Sequence, residues 1–86
     1  MSNEQITLQV FSRPNCQLCG ELIEELSHWQ QRYCFRLKII DITDDKELTA
    51  KYAGRIPVLT SGDIELCEYY LDSEHVREFL ERIEKN

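Results

Sequence analysis

The sequence predicts one α/β domain in which four strands form a mixed sheet flanked by three helices, in the order β-α-β-α-β-β-α. Three observations lead there. The chain has 86 residues, which suits one small domain with one modest core. Its apolar residues switch between two-residue alternation and helical periodicity along the chain. Near the end, Ser61-Gly-Asp63 separates two alternating segments at hairpin spacing, so that pair of strands is antiparallel.

The elements follow in order. Ile6, Leu8 and Val10 alternate within Ile6–Phe11, the pattern of a half-buried strand. Ser12-Arg-Pro-Asn15 is a turn, and its Pro14 and Asn15 suit a helix start. A helix is expected from about Cys16 to Arg32. At about 100° per residue, Leu18, Trp29, Leu22, Tyr33, Leu26 and Ile23 fall within one arc of about 140°. The glutamates and His28 fall outside it. Cys19 lies inside that arc and Cys16 at its edge, so the two thiols differ in expected exposure.

Phe35–Asp41 reads as the second strand, with Phe35, Leu37 and Ile39 on its apolar face. Arg36 and Lys38 on the other face suit a sheet edge. Asp44-Asp-Lys-Glu47 resembles a capping box for a short helix through Tyr52, in which Leu48 and Tyr52 form the apolar pair and Gly54 the stop. Ile56–Thr60 and Ile64–Tyr69 are the hairpin strands. A last helix starts near Asp72, where Leu71 and Val76 hold the two positions of a hydrophobic staple. Val76, Phe79, Leu80 and Ile83 form its buried stripe. The prolines and glycines are expected at element borders. Residues 1–5 are expected to be flexible, and 6–86 to form the domain. The βαβ unit crosses over right-handed and makes a parallel pair.

Ten basic residues against sixteen acidic ones give a net charge of −6. That balance is the reverse of a nucleic-acid reader and opposes binding to anionic membranes. Neither a membrane-spanning stretch nor an export signal is visible, so the expectation is a cytoplasmic monomer. Four cysteines are present: Cys16, Cys19, Cys34 and Cys67. That density is below a disulfide scaffold. The pair Cys16-Gln-Leu-Cys19 points to metal or redox chemistry. A zinc site needs a second ligand pair, whereas Cys34, Cys67, His28 and His75 are scattered singly, and no metal is expected. Cys34 and Cys67 are expected to be ordinary buried cysteines.

With these elements in place, the chain resembles the glutaredoxins and, more widely, the thioredoxin-fold oxidoreductases. The resemblance covers about residues 6 to 83. It rests on Phe11-Ser-Arg-Pro-Asn-Cys16-Gln-Leu-Cys19 at a strand-to-helix junction, on Arg55-Ile-Pro57-Val-Leu, and on the hairpin and closing helix that follow. It is most similar to a compact group with a polar residue and Leu between the cysteines. Common dithiol glutaredoxins carry Pro and an aromatic there, and a Gly-Gly pair where this chain has Glu68-Tyr-Tyr-Leu-Asp72. The Trp-Cys-Gly-Pro-Cys of thioredoxins is absent.

The resemblance implies a thioredoxin/glutaredoxin-like fold and thiol–disulfide exchange. A cysteine at a helix N-terminus has a lowered pKa, which makes Cys16 the expected nucleophile. Cys19, one turn on and facing inward, is the expected resolving thiol. Pro57 is expected to be cis by the same resemblance, with the Ile56 backbone facing the thiols. Arg13 and Arg55 are candidates to stabilise a thiolate or a substrate carboxylate. No bound cofactor is implied. Glutathione or a thioredoxin-type reductant would serve as co-substrate, and a disulfide-containing protein or a small-molecule thiol as partner. The alternative reading is a non-catalytic thioredoxin-fold module that binds a protein or peptide beside Pro57.

Overall fold

All seven elements form in the predicted order in the computed structural model, which describes residues 6–84: β1 (Ile6–Ser12), α1 (Gln17–Trp29), β2 (Phe35–Asp41), α2 (Lys46–Tyr52), β3 (Val58–Ser61), β4 (Ile64–Glu68) and α3 (Ser73–Glu84). The expectation of a flexible lead over residues 1–5 falls outside the described residues, as do the last two residues of the expected domain.

The four strands make one sheet in the order β2-β1-β3-β4. β1 runs parallel to β2, from Ile6 opposite Phe35 to Ser12 opposite Asp41. β3 is antiparallel to both β1 and β4. Alternation along β1 and β3 sends Leu8, Val10 and Leu59 to one face, where Leu22 and Leu26 of α1 and Val76 and Leu80 of α3 cover them. Phe11 and Val58 point to the other face and pack with Tyr52 of α2, Ile42 and Ile56. The sheet is thus sandwiched between two helices and one.

The local departures from expectation have physical causes. α1 stops at Trp29, three residues before Arg32. The chain tightens there through Gln31 N–H to His28 O and Arg32 N–H to Trp29 O, and the Gln30 side chain donates to Phe35 O at 3.1 Å. The cap of α2 is Asp45 and not Asp44, because the Asp45 carboxylate accepts from Leu48 N–H at 3.0 Å. Gly54 follows the α2 cap, yet Gly62 is the only described glycine at positive φ. The hairpin turn has two residues, since Ser61 already pairs with Ile64 and Gly62 turns the chain at φ +62°. β3 starts at Val58 and β4 ends at Glu68, both shorter than their apolar patterns. Ile39 lies opposite buried Val10 but is 52% exposed, because β2 is an edge strand with one flank open to water. Asp72 caps α3 as expected, accepting from His75 N–H at 3.2 Å, while Leu71 packs on the cluster that holds Val76.

Gly20 corrects the border expectation most clearly, for it lies inside α1. A β-carbon there would meet no atom within 4 Å, and the φ is ordinary. Glycine therefore adds unfolded-state freedom without serving a turn. Gly20→Ala is expected to raise stability by about 0.5–1 kcal/mol, read as a shift of the urea midpoint at unchanged slope.

Candidate active site

The site is built where β1 hands over to α1. Ser12 closes β1 and is buried, and Arg13-Pro14-Asn15 is exposed. Asn15 takes the left-handed conformation at φ +59°, which asparagine tolerates better than most residues. That bend places Cys16 as the N-cap of α1, at φ −108° and ψ 107°. Its sulfur accepts from Cys19 N–H at 3.2 Å, so a cysteine does here what a serine or aspartate side chain does at other helix starts. Cys16 O accepts from Gly20 N–H at 3.2 Å.

Cys16 and Cys19 form a disulfide, with Cα atoms 5.2 Å apart. The difference in exposure expected from the helical arc is present. Cys16 is half-buried and Cys19 only 3% exposed. Cys19 belongs to the second apolar cluster with Phe11, Tyr52 and Ile56, and Cys16 packs against its edge. Phe11 and Tyr52 stack with ring centroids 4.3 Å apart, forming an aromatic floor in that cluster.

The structure thus gathers Cys16, Cys19 and Ile56 on one cluster. Pro57 follows, fully buried, with a cis Ile56–Pro57 bond. The Pro57 carbonyl accepts from Tyr69 N–H at 2.8 Å, which ties the segment after β4 to this loop.

The two arginines part company. Arg13 is exposed in the loop before Cys16. Arg55 is engaged by its own chain: it pairs with Glu65, and its Nε donates to Glu68 at 3.0 Å. It also lies over the Tyr52 ring at 5.6 Å. Both carboxylates push the Arg55 pKa further above its usual range. Glu68 is therefore a compensated charge, and Arg55 directs its Nε and one terminal N–H to its own fold. Its partners lie ten and thirteen residues away on β4, across the hairpin, and no local sequence signal marks that pairing.

The other cysteines lie apart. Cys34 is exposed, contrary to the expectation of burial, because it sits in the turn between α1 and edge strand β2 rather than on a covered face. Cys67 is half-buried in β4, and burial pushes its thiol pKa up. That holds Cys67 protonated at neutral pH and keeps it a poor nucleophile. His28 and His75 are exposed. Among the described residues, no group of three or more Cys, His, Asp or Glu is gathered as for a metal ion. Among them, too, no helix is long and apolar enough to cross a membrane.

Tyr69 is the residue that pattern reading missed. It was expected to finish the strand, but it stands at φ +68°, unusual for a bulky side chain and costing about 1–3 kcal/mol. Its hydroxyl donates to Gly54 O, and its N–H to Pro57 O. These bonds over-determine the conformation. They need partners from one distant segment, the connection between α2 and β3, which alternation cannot reveal.

Comparison with known proteins agrees with this geometry. The protein Ne2328 from Nitrosomonas europaea, solved by NMR, is 39% identical, with 93% of this chain and 99% of that chain covered and a TM-score of 0.83. The protein XcR50 from X. campestris is 28% identical, with 87% and 96% covered and a TM-score of 0.70. A malarial protein at 16% identity, 92% and 97% covered, shares the fold with a TM-score of 0.65. None of the curated proteins searched matches the chain. The family model described as a glutaredoxin-like domain (DUF836) matches residues 7–81, and with a thioredoxin-like fold and a close cysteine pair at its first helix the chain belongs to that glutaredoxin-like family.

Proposed function

We propose that the protein is a thiol–disulfide oxidoreductase in which Cys16 is the nucleophile and Cys19 the resolving thiol. One observation carries the reading: the cysteine pair is split by exposure across the first turn of α1. In the reduced protein, the Cys16 sulfur at the N-cap faces the positive end of the helix dipole and an amide N–H, both of which favour the thiolate. The Cys16 thiolate attacks a substrate disulfide, forms a mixed disulfide and expels one substrate thiolate. Cys19 then attacks the Cys16 sulfur and expels the second. Two electrons leave the protein, the two cysteine protons end on the released thiols, and the Cys16–Cys19 disulfide remains. An external thiol or dithiol, glutathione or a thioredoxin-type protein, resets the pair.

Within this reading, Ile56, set by the Pro57 that follows it, offers its backbone to an extended substrate segment beside the sulfurs. Arg13 supplies positive charge at the mouth of the site. Arg55 acts through Glu65 and Glu68 as a positioning residue for the Pro57 loop. The protein works as a cytoplasmic monomer and needs neither a metal nor a bound cofactor for this cycle.

Trapping tests the proposal. Reduced Cys19→Ser protein mixed with a disulfide peptide is expected to accumulate a mixed disulfide on Cys16, seen by mass spectrometry after acid quench. Without Cys19 the second step has no attacking thiol. An adduct on Cys34, or none, would support instead the non-catalytic module that binds a peptide beside Pro57.

A further inference from the structure

A cleft of about 140 Å³ lies between α1 and the segment that follows β4. Leu18, which precedes Cys19 between the two cysteines, is part of its lining. Glu21 and Glu25 line one wall, one helical turn apart on the same face. Tyr69 and Tyr70 line the other wall, and Tyr70 is 69% exposed. Among the described residues, neither Glu21 nor Glu25 is in an ion pair, and Glu21 accepts one hydrogen bond, from the neutral Gln17 amide at 3.2 Å. No cationic side chain lines the cleft. The strip continues along α1 to Glu24 and His28.

The segment that carries the tyrosines is anchored rather than loose. Tyr69 N–H to Pro57 O and Tyr69 hydroxyl to Gly54 O hold it to the loop beside the cysteine pair. Leu18, which lies between the two cysteines, and Tyr69, which is bonded to Pro57, thus link the cleft lining to the segments of the proposed redox site. Two uncompensated carboxylates opposite two phenol rings are the complement of a guanidinium, which takes carboxylates at its edge and aromatic rings on its faces. An anionic ligand meets the wrong charge there, in a chain whose net charge is already −6.

We propose that this cleft is a docking subsite for an arginine-bearing segment of the protein's disulfide substrate, so that the enzyme selects basic polypeptides. The proposal rests on the oxidoreductase reading and names the substrate class of that site. The guanidinium of a residue flanking the substrate cysteine enters between Glu25 and Tyr70 while the substrate disulfide meets Cys16.

Three disulfide peptides test it, identical but for Arg, Gln or Glu beside the cysteine. The expected order of kcat/KM is Arg, then Gln, then Glu. Arg exceeds Gln by about tenfold at low salt, the scale of two exposed ion pairs plus a cation–π contact. The gap closes in about 1 M salt, where the Debye length is about 3 Å. In the Glu21→Gln/Glu25→Gln double variant the Arg-to-Gln ratio falls to about one, and Glu21→Lys/Glu25→Lys inverts the order. A second arm uses the Arg peptide with its cysteine replaced by serine, titrated against the oxidised protein by NMR, with shifts expected at Leu18, Glu21, Glu25 and Tyr70. Equal reduction of the three peptides without cleft shifts would overturn the docking subsite and leave the redox reading standing. No reduction of any peptide, with cleft shifts from the serine peptide, would uphold the subsite and remove the redox reading. An Arg preference that survives the Glu21→Gln/Glu25→Gln change would also overturn it, by placing the selectivity elsewhere.

Discussion

Cys16→Ser is expected to lower the rate of disulfide reduction by more than about a thousandfold, the scale on which removal of a covalent nucleophile acts. The reason is positional as well as chemical. Cys16 is the half-exposed sulfur at the α1 N-cap, whereas Cys19 is buried in the Phe11–Tyr52 cluster and cannot take over the first attack. A serine oxygen still caps the helix by accepting from residue 19 N–H, so folding should survive the change. Cys34→Ser is the matched control, since Cys34 lies at the far end of α1, and its rate should stay close to that of the parent protein. A steady-state assay with a disulfide peptide and a dithiol donor reads both. Comparable losses in the two variants would mean that exposure at the N-cap does not select the nucleophile.

The largest expected effect on stability comes from the face of the sheet that α1 and α3 cover. Leu26 and Leu80 are both fully buried there, against Leu8, Val10 and Leu59. Leu26→Ala or Leu80→Ala should each cost about 2–5 kcal/mol, from lost transfer free energy and the cavity left behind. A domain of this length holds only about 4–13 kcal/mol in total. Melting temperature should therefore fall by on the order of 10 °C or more. Ile39→Ala, at an exposed position on edge strand β2, should change stability by no more than about 0.5 kcal/mol. Differential scanning calorimetry of the three variants checks the contrast. A costly Ile39→Ala would mean that another surface covers the β2 edge in solution.

What the sequence made legible was set by the range of each interaction. The alternation of Leu8 and Val10, the arc of Leu22 and Leu26, and the Leu71–Val76 staple around Asp72 are local patterns with one dominant solution, and each forms. The cysteine pair was legible for the same reason, because a three-residue offset on a helix fixes which sulfur faces inward. The misreadings have the opposite character. Asp44 and Asp45 compete for one cap, and only the carboxylate that reaches Leu48 N–H wins. Ile39 carries the right residue type for a core, but its exposure depends on its place in the sheet order. Arg55 looked available to a substrate until Glu65 and Glu68 were brought beside it by a hairpin. Tyr69 at positive φ is held by Pro57 and Gly54, which lie well before it in the chain.

The redox reading requires that the Cys16–Cys19 disulfide exchange rather than serve as a staple. Equilibrating the protein in glutathione buffers of graded ratio, quenching with an alkylating agent and counting labels by mass spectrometry tests it most directly. A single two-electron transition confined to Cys16 and Cys19 is expected, with a potential between about −270 and −120 mV, the span of thioredoxin-like exchangers. A pair that stays oxidised below about −300 mV, as structural disulfides do, or a transition that involves Cys34 or Cys67, would contradict it.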